Sequence, residues 1–468
     1  MESSAQSSSF PSWTDCFVIK RIRMLIPVGF KTEIKELCKL AGPVIISQVM
    51  VFTVNFVSTI FCGHLGTTEL AGVSLGIAGI SIGIGLSGAC DTLISQTFGS
   101  RNLSRVGVIL QRAILILLLA CFPCWAILIN TEPLLLAFNQ DPAVASVAQL
   151  YVKIFMPALP ATFMYALETK YLQNQGIIWP QVITGFAVNL LNVLMNYIFI
   201  FPLKLGVVGS AVSNTVSEFA MAGALYIYII WKGLHKATWG GWSKECLRDW
   251  DTFIHLAIPS MAMMCVEWWT YEIGTFLAGL ISEVEIGTQT IVYELAGFAY
   301  MFPLGFSIAG NVRVGNALGA GATDQAKLSA KVTLFCGVTI SLCAAILFGS
   351  LKNYISYIFT YDESVDRLVY LRVSAGLIYG FLLHKNELED SDNRGHQADD
   401  SGMSVGQTDT VGLADMEVEP AVVVIPHRTL VLRRGLALAG MLFILAAGII
   451  INLLTTNFVI QTNNSTSH

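Results

Sequence analysis

The sequence predicts an all-α polytopic membrane protein, and three observations carry that prediction. Of 468 residues, 54% are hydrophobic and only 13% charged, whereas soluble domains carry about 25% charged residues; the mean hydropathy is +0.64. Uncharged runs such as 40–68, 113–131, 171–203 and 435–468 meet or exceed the roughly 20 residues that cross a bilayer as helix. Finally, the chain repeats itself. Leu40-Ala-Gly-Pro43 matches Leu256-Ala-Ile-Pro259, and Glu69-Leu-Ala71 matches Glu285-Ile-Gly287, both at an offset of 216. Gln96-Thr-Phe-Gly99-Ser100 matches Asn316-Ala-Leu-Gly319-Ala320 at an offset of 220, so the second span is four residues shorter than the eighth. A repeat containing an even number of spans restores the same orientation and gives two parallel bundles.

The elements follow in chain order. Residues 1–36 form a cytosolic N-terminal tail, Ser-rich and then basic at Lys20, Arg21, Arg23 and Lys31, with no small-residue cleavage site after a separate apolar core. Spans at 37–61, 70–95, 108–130, 146–168, 178–201 and 207–231 make a first six-helix lobe, 37–231. A cytosolic inter-lobe loop, 232–251, leads to spans at 252–280, 286–312, 330–358 and, weakly, 366–384; this second lobe, 252–384, is incomplete. Pro43, Pro157, Pro160, Pro180, Pro259 and Pro303 fall at span starts or inside spans, where neighbouring helices satisfy the carbonyls they free. Residues 385–434 form an acidic disordered cytosolic linker. Ten carboxylates face only Lys385 and Arg394 between 385 and 420, a local charge of −8 that leaves the rest of the chain at +3. A C-terminal transmembrane helix and short extracellular tail occupy 435–468, with Arg433-Arg434 as the cytosolic anchor.

Charge asymmetry tests this order. Arg101, Arg105 and Arg112, then Lys232, Lys236, Lys244 and Arg248, then Arg313, Lys327 and Lys331 all fall on one side, the cytosolic one by the positive-inside rule. The opposite loops hold Glu69, Glu132, Asp141, Glu283 and Glu285. Eleven spans place the C-terminus outside, where Asn463-Asn464-Ser465-Thr466 offers two overlapping glycosylation sequons.

Composition and motifs exclude several functions. There is no basic face for nucleic acid, no Ser/His/Asp ordering and no nucleotide loop, so no enzyme is predicted. Most of the ten cysteines fall inside spans, which argues for packing over a disulfide framework, and Cys121-Phe-Pro-Cys124 lies in a helix; no metal site or cofactor is expected. The Gly315–Gly321 run follows a helix rather than a strand and reads as a tight cytosolic turn. Gly76, Gly79, Gly83, Gly85 and Gly88 serve close helix approach. His64 is more readily structural or interfacial than a relay, while Asp91 sits in the cytosolic half of its span, buried or reaching the interface.

Polar residues inside the spans carry the functional signal. Asn189, Asn192 and Asn196 share one helical face by their spacing; they bind substrate or water, or glue helices together, and glue is the commoner use. Glu267 and Glu272 lie in span seven and Glu294 in span eight. A carboxylate at membrane depth costs roughly 2.5 kcal/mol or more, so it marks a proton or cation site by default. Being five residues apart, Glu267 and Glu272 project roughly 140° apart around one helix and cannot form a simple pair.

Val266-Glu267-Trp-Trp-Thr-Tyr-Glu272, Ile291-Val-Tyr-Glu294-Leu-Ala, Arg313-Val-Gly-Asn-Ala-Leu-Gly-Ala-Gly321, the stretch from Gly88 to Gly99 and Thr238-Trp-Gly-Gly-Trp242 together resemble the vertebrate multidrug and toxin extrusion (MATE) transporters. The similarity covers residues 30 to 367 and the last span. It implies a two-lobe MATE-type bundle with an extra C-terminal helix, and antiport in which proton influx drives export of organic cations. It also implies that Glu267, Glu272 and Glu294 match the family's functional glutamates, and that Cys62 and Asn192 match positions important there. Asn189, Trp268, Tyr271 and Tyr293, beside these residues, are candidates for the cavity wall. Compared with the family, the chain is a shortened form: part of span two with its Asn is absent, and spans ten to twelve, with their acid, are missing or collapsed into 368–384. The expected partners are small organic cations, protons and the lipid bilayer of the plasma membrane; the oligomeric state is open. The alternative is a truncated, non-transporting form that binds or regulates full-length transporters.

Overall fold

The computed structural model describes residues 29–63, 65, 81–138, 140–279, 281, 283–355 and 427–466. Among them are thirteen α-helices, three 3-10 turns and no strand. The expected N-terminal tail to residue 28, His64, Glu69, the start of span two, the tenth span and the acidic linker to residue 426 lie outside the described residues. Among the described residues, seven helical stretches are long and apolar enough to cross a membrane, and the protein is a multi-pass membrane protein.

Helix α1 (Phe30–Gly63) begins with Glu33 in its first turn, where a carboxylate complements the helix dipole. Two shorter helices follow, α2 (Ser81–Ser87) and α3 (Ala89–Gly99). The next, α4 (Leu103–Ile129), is capped by Asn102, whose side chain accepts from the Arg105 N–H. A short α5 (Thr131–Ala137) precedes α6 (Pro142–Phe155), which Asp141 caps through the N–H groups of Ala143 and Val144, with Pro142 in the first turn.

The sequence predicts one span at 146–168, but the chain forms α6, a 3-10 turn at Met156–Ala158 and then α7 (Leu159–Asn174). Pro157 and Pro160 supply no N–H to the helical ladder, so it tightens there. Helices α8 (Trp179–Ile200) and α9 (Val207–Trp231) complete the first half. Gly233 ends α9 in the left-handed conformation at φ +66°, a backbone that favours glycine.

The inter-lobe loop is pinned to the first half. Gln111 on α4 donates to the Gly241 carbonyl at 2.7 Å and accepts from the Ser243 N–H at 2.9 Å, while Tyr171 on α7 shares a 2.7 Å hydrogen bond with Thr238. Burial pushes the Cys246 thiol of this loop up from its ordinary range, with the Arg112 charge opposing the shift.

Helix α10 (Trp250–Gly279) opens the second half, followed by α11 (Glu283–Gly319) and α12 (Thr323–Ile355). The halves meet through α2 on α10 and α3 on α11. Helix α1 lies between them, against α8 and α9 on one side and α11 and α12 on the other. Its second seam buries Leu37 and Ala41 with Phe306, Ala309, Val332 and Cys336. Arg313 of α11 donates to both Glu33 oxygens, Nε at 2.6 Å and Nη2 at 2.7 Å, and Ser329 of α12 donates to the same carboxylate at 2.5 Å. Glu33 is thus the centre of a three-helix clamp, and Arg313, placed from sequence only on the cytosolic side, meets it with the two-pronged geometry that makes Arg–carboxylate bonds strong.

The C-terminal helix α13 (His427–Thr466) packs on α4. Gly448 lies against Ala126, Asn130 donates to the Gly448 carbonyl at 2.9 Å, and Asn452 donates to the Ile129 carbonyl at 3.0 Å. At its other end Arg434 sits 4.3 Å above the Trp250 ring, a cation–π contact typically contributing about 0.5–1 kcal/mol.

Candidate functional site

The membrane-buried acids of the second half lie on α10 and α11. The backbones of Glu267, Tyr271 and Glu272 are helical, and their side chains lie outside the described ones. Glu294 on α11 is buried, only 7% exposed. Beside it, Tyr293 and Tyr300 flank Trp268 of α10, with ring centroids 6.3 and 6.2 Å away and interplanar angles of 68° and 90°. Edge-to-face geometry of this kind fixes ring planes, and it ties the helix of Glu267 to that of Glu294. One turn beyond Glu294, Gly297 meets the Phe52 ring of α1 so closely that a Cβ would collide, and Gly305 does the same at Ile45. The acid-bearing part of α11 therefore runs along the central helix.

A second polar region fills the first half. Asn192 donates to Asn214 at 2.9 Å and to Ser217 at 3.0 Å. Asn214 in turn accepts from Ser58 and donates to Tyr151 at 2.6 Å, while Asn196 donates to Ser58 at 3.3 Å and to the Asn192 side chain at 3.1 Å. Asn189 donates to the Met50 and Gly185 carbonyls, both at 2.7 Å. Helices α1, α6, α8 and α9 are thus stitched together by neutral side chains, nearly all fully buried, as buried polar groups require. The common face expected for the three asparagines is present, and its amides are engaged by neighbouring helices. Cys62 is fully buried near Tyr151 in a cluster with Phe155, Ala158, Val207 and Ala211.

Two acids of this half, Glu218 and Glu168, were not singled out from sequence. Glu218 of α9 is 8% exposed and accepts a 2.9 Å hydrogen bond from Thr162 of α7. On α7, Glu168 has a buried oxygen with no hydrogen-bond partner among the described residues. The signal was available: Glu218 sits mid-way along an apolar span, as Glu267 does. Asp91 is paired with Lys170 at 2.6 Å, both only partly exposed, and accepts from Asn174 at 3.3 Å, so its position is a structural ion pair.

The two halves close on each other at the ends of α3 and α11, the side that charge asymmetry assigns to the cytosol. A Cβ on Gly99 would collide with the Asn316 carbonyl, one on Gly319 with the Gln96 carbonyl and one on Gly315 with Ser95. Asn316 also donates to the Asn174 carbonyl at 3.3 Å. No disulfide joins the described cysteines, and Cys121 and Cys124 are buried thiols.

Comparison with known proteins places these features. A family model described as MatE matches residues 43–198 and 259–383. "Multidrug and toxin extrusion protein 1" of Danio rerio is 68% identical over 368 residues, covering 77% of this chain and 62% of that protein. The Mus musculus protein of the same name is 55% identical over 375 residues, covering 79% and 66% respectively. The chain thus spans less than two thirds of the length of these relatives. The crystal structure of the eukaryotic MATE transporter AtDTX14 superposes with a TM-score of 0.70 at 24% identity, covering 74% of this chain and 79% of that one; at that identity the likeness speaks to fold.

Proposed function

The chain belongs to the MatE family, and on that premise we propose that it is a secondary transporter of the plasma membrane that exports organic cations in exchange for protons. The observation that carries this reading is Glu294, buried on the helix whose Tyr293 and Tyr300 hold Trp268 of α10. A desolvated carboxylate on a helix that also carries aromatic rings suits an organic cation, which can gain both charge pairing and cation–π attraction. A proton neutralises the same carboxylate, so cation and proton compete for it. Glu267 and Glu272, one helix away, belong to the same acidic set. Asn192, Asn189, Trp268, Tyr271, Tyr293 and Cys62 are proposed to shape or support the cavity, Asn192 and Asn189 from within the first-lobe network. Transport then requires the halves to separate at the Gly99–Asn316 seam and close elsewhere, exposing the acids to each side in turn.

The test is uptake of a labelled organic cation into proteoliposomes with an acidic lumen, whose outward proton gradient drives the exchange. Gradient-dependent uptake that Glu267→Gln and Glu294→Gln abolish is expected. Correctly inserted protein with no gradient-dependent uptake would sink the transporter reading. That outcome would favour the second reading, a non-transporting form that binds or regulates longer relatives.

A further inference from the structure

We propose that Glu218 is a proton-exchanging carboxylate of the first lobe, reached through a line of protonatable groups on α7 and separate from the second-lobe acids. The proposal extends the proton-coupled reading of the chain. Glu218 is more than nine-tenths buried, and its recorded partner is a neutral hydroxyl, that of Thr162. Among the described residues it forms no ion pair; the three ion pairs are Arg112–Asp249, Lys170–Asp91 and Arg313–Glu33. A carboxylate in that position is neutral or charged according to whether water and a proton reach it.

A second observation lies on α7. Tyr165 and Thr169, both more than nine-tenths buried, stand beside one another on α7 as mutual hydrogen-bonding neighbours, and neither hydroxyl has a recorded partner on another helix. Tyr165 lies within electrostatic reach of both Glu218 and Glu168. A hydroxyl both donates and accepts, so a pair that meets only each other keeps one donor and further acceptor sites where a proton or water would be accommodated. Thr162, Tyr165 and Thr169 recur at helical spacings of three and four, which puts them on one face of α7. Glu168 is on the same helix, two residues before Lys170, which reaches Asp91 on α3 at the end of the helix nearest the Gly99–Asn316 seam. The order Glu218, Tyr165, Glu168 thus runs from the middle of the first lobe towards the side assigned to the cytosol.

The groups around Glu218 leave it as the titrating one. Of the helices packed on α9, α6 contributes Tyr151 and α7 contributes Tyr165, with Glu168 beyond it; α1 contributes Cys62 beside Tyr151. The face of α8 towards α9 contributes neutral amides. His235 and Lys236 lie in the 3-10 turn that follows α9, at its far end. The step itself is a proton transfer: a Glu218 oxygen takes a proton from hydronium and leaves water, and the reverse transfer returns the proton when the halves have exchanged access.

The experiment is infrared difference spectroscopy of the full chain in lipid nanodiscs, titrated from acid to alkaline buffer without substrate. A protonated-carboxyl band that disappears on alkalinisation is expected, with Glu218→Gln removing it and Glu267→Gln leaving it in place. A titration in which Glu218→Gln changes no band overturns the proposal. If Glu218→Gln fails to fold, Thr162→Val replaces it: a shift in the pH at which the band appears supports the assignment, and an unmoved band overturns it. Because this readout needs no transport, loss of cation uptake leaves it standing, and its failure leaves the second-lobe transport reading to its own test.

Discussion

Gly99 and Gly319 are reciprocal partners: Gly99 packs on the carbonyl of Asn316, and Gly319 packs on the carbonyl of Gln96. In the internal repeat Gln96 corresponds to Asn316 and Gly99 to Gly319, so each repeat offers the same glycine to the same carbonyl of the other. Side chains on both glycines are excluded by backbone, which cannot move aside as a flexible side chain can. Gly99→Leu is therefore expected to lower the unfolding temperature in detergent, as overpacking by about 1–3 kcal/mol does, and to open the seam. A cysteine replacing the buried Ser95, in an otherwise cysteine-free background, should react faster with an impermeant maleimide, applied from the face that charge asymmetry assigns to the cytosol, when Gly99→Leu is present. Equal rates would show that the crossing is not a seal.

The clamp of Glu33, Arg313 and Ser329 makes a graded prediction. Glu33→Gln removes one partner of a buried pair and should destabilise the protein by about 3–5 kcal/mol. Arg313→Lys keeps the charge but loses the two-pronged geometry, and should fall between Glu33→Gln and the parent. Ser329→Ala removes a single hydrogen bond to a charged group, about 1.5–3 kcal/mol. Thermal unfolding of all three in one detergent checks the order.

The asparagine network should respond as a unit. Asn214→Leu removes the partner of Ser58, Asn192 and Tyr151 together, at a cost of about 1–3 kcal/mol for each group left unpaired. Because Asn192→Leu disturbs the same network, the double variant is expected to lose less than the sum of the two singles. Additivity in unfolding measurements would mean that the two residues act independently.

The docking of α13 rests on one small residue. A cysteine pair at Ile129 and Asn452, in a cysteine-free background, should crosslink under mild oxidation, because the Asn452 side chain donates to the Ile129 carbonyl at 3.0 Å. Gly448→Leu places a branched side chain against Ala126 and should suppress that crosslink. Its persistence would show that α13 tolerates displacement from α4.

The elements that were legible in the sequence are those fixed by local chemistry. Apolar runs locate the helices, Asp141-Pro142 marks the start of α6, and spacing alone puts Asn189, Asn192 and Asn196 on one face. The proline pair 157 and 160 was visible, yet its outcome, a 3-10 turn splitting one span into two helices, depends on how the neighbouring helices receive the freed carbonyls. Partner choice was not legible. Nothing in the first turn of α1 announces that Glu33 meets Arg313, 280 positions away, because such pairing is decided by packing. Glu218 was legible by the rule that drew attention to Glu267; its neighbours form no familiar motif, and recognition by motif passed over it.

The position of α1 also constrains how the protein is made. Its partners α8 and α9 emerge from the ribosome well before α11 and α12, so one side of the first helix is covered early and the other waits. Glu33 enters the bilayer boundary as an unpaired acid and stays so until Arg313 and Ser329 have been synthesised. Long separations between contacting residues slow folding and prolong the exposure of incomplete surfaces. Biogenesis is therefore most exposed to quality control in the interval between the insertion of α9 and that of α12, when the oldest helix still lacks half of its neighbours.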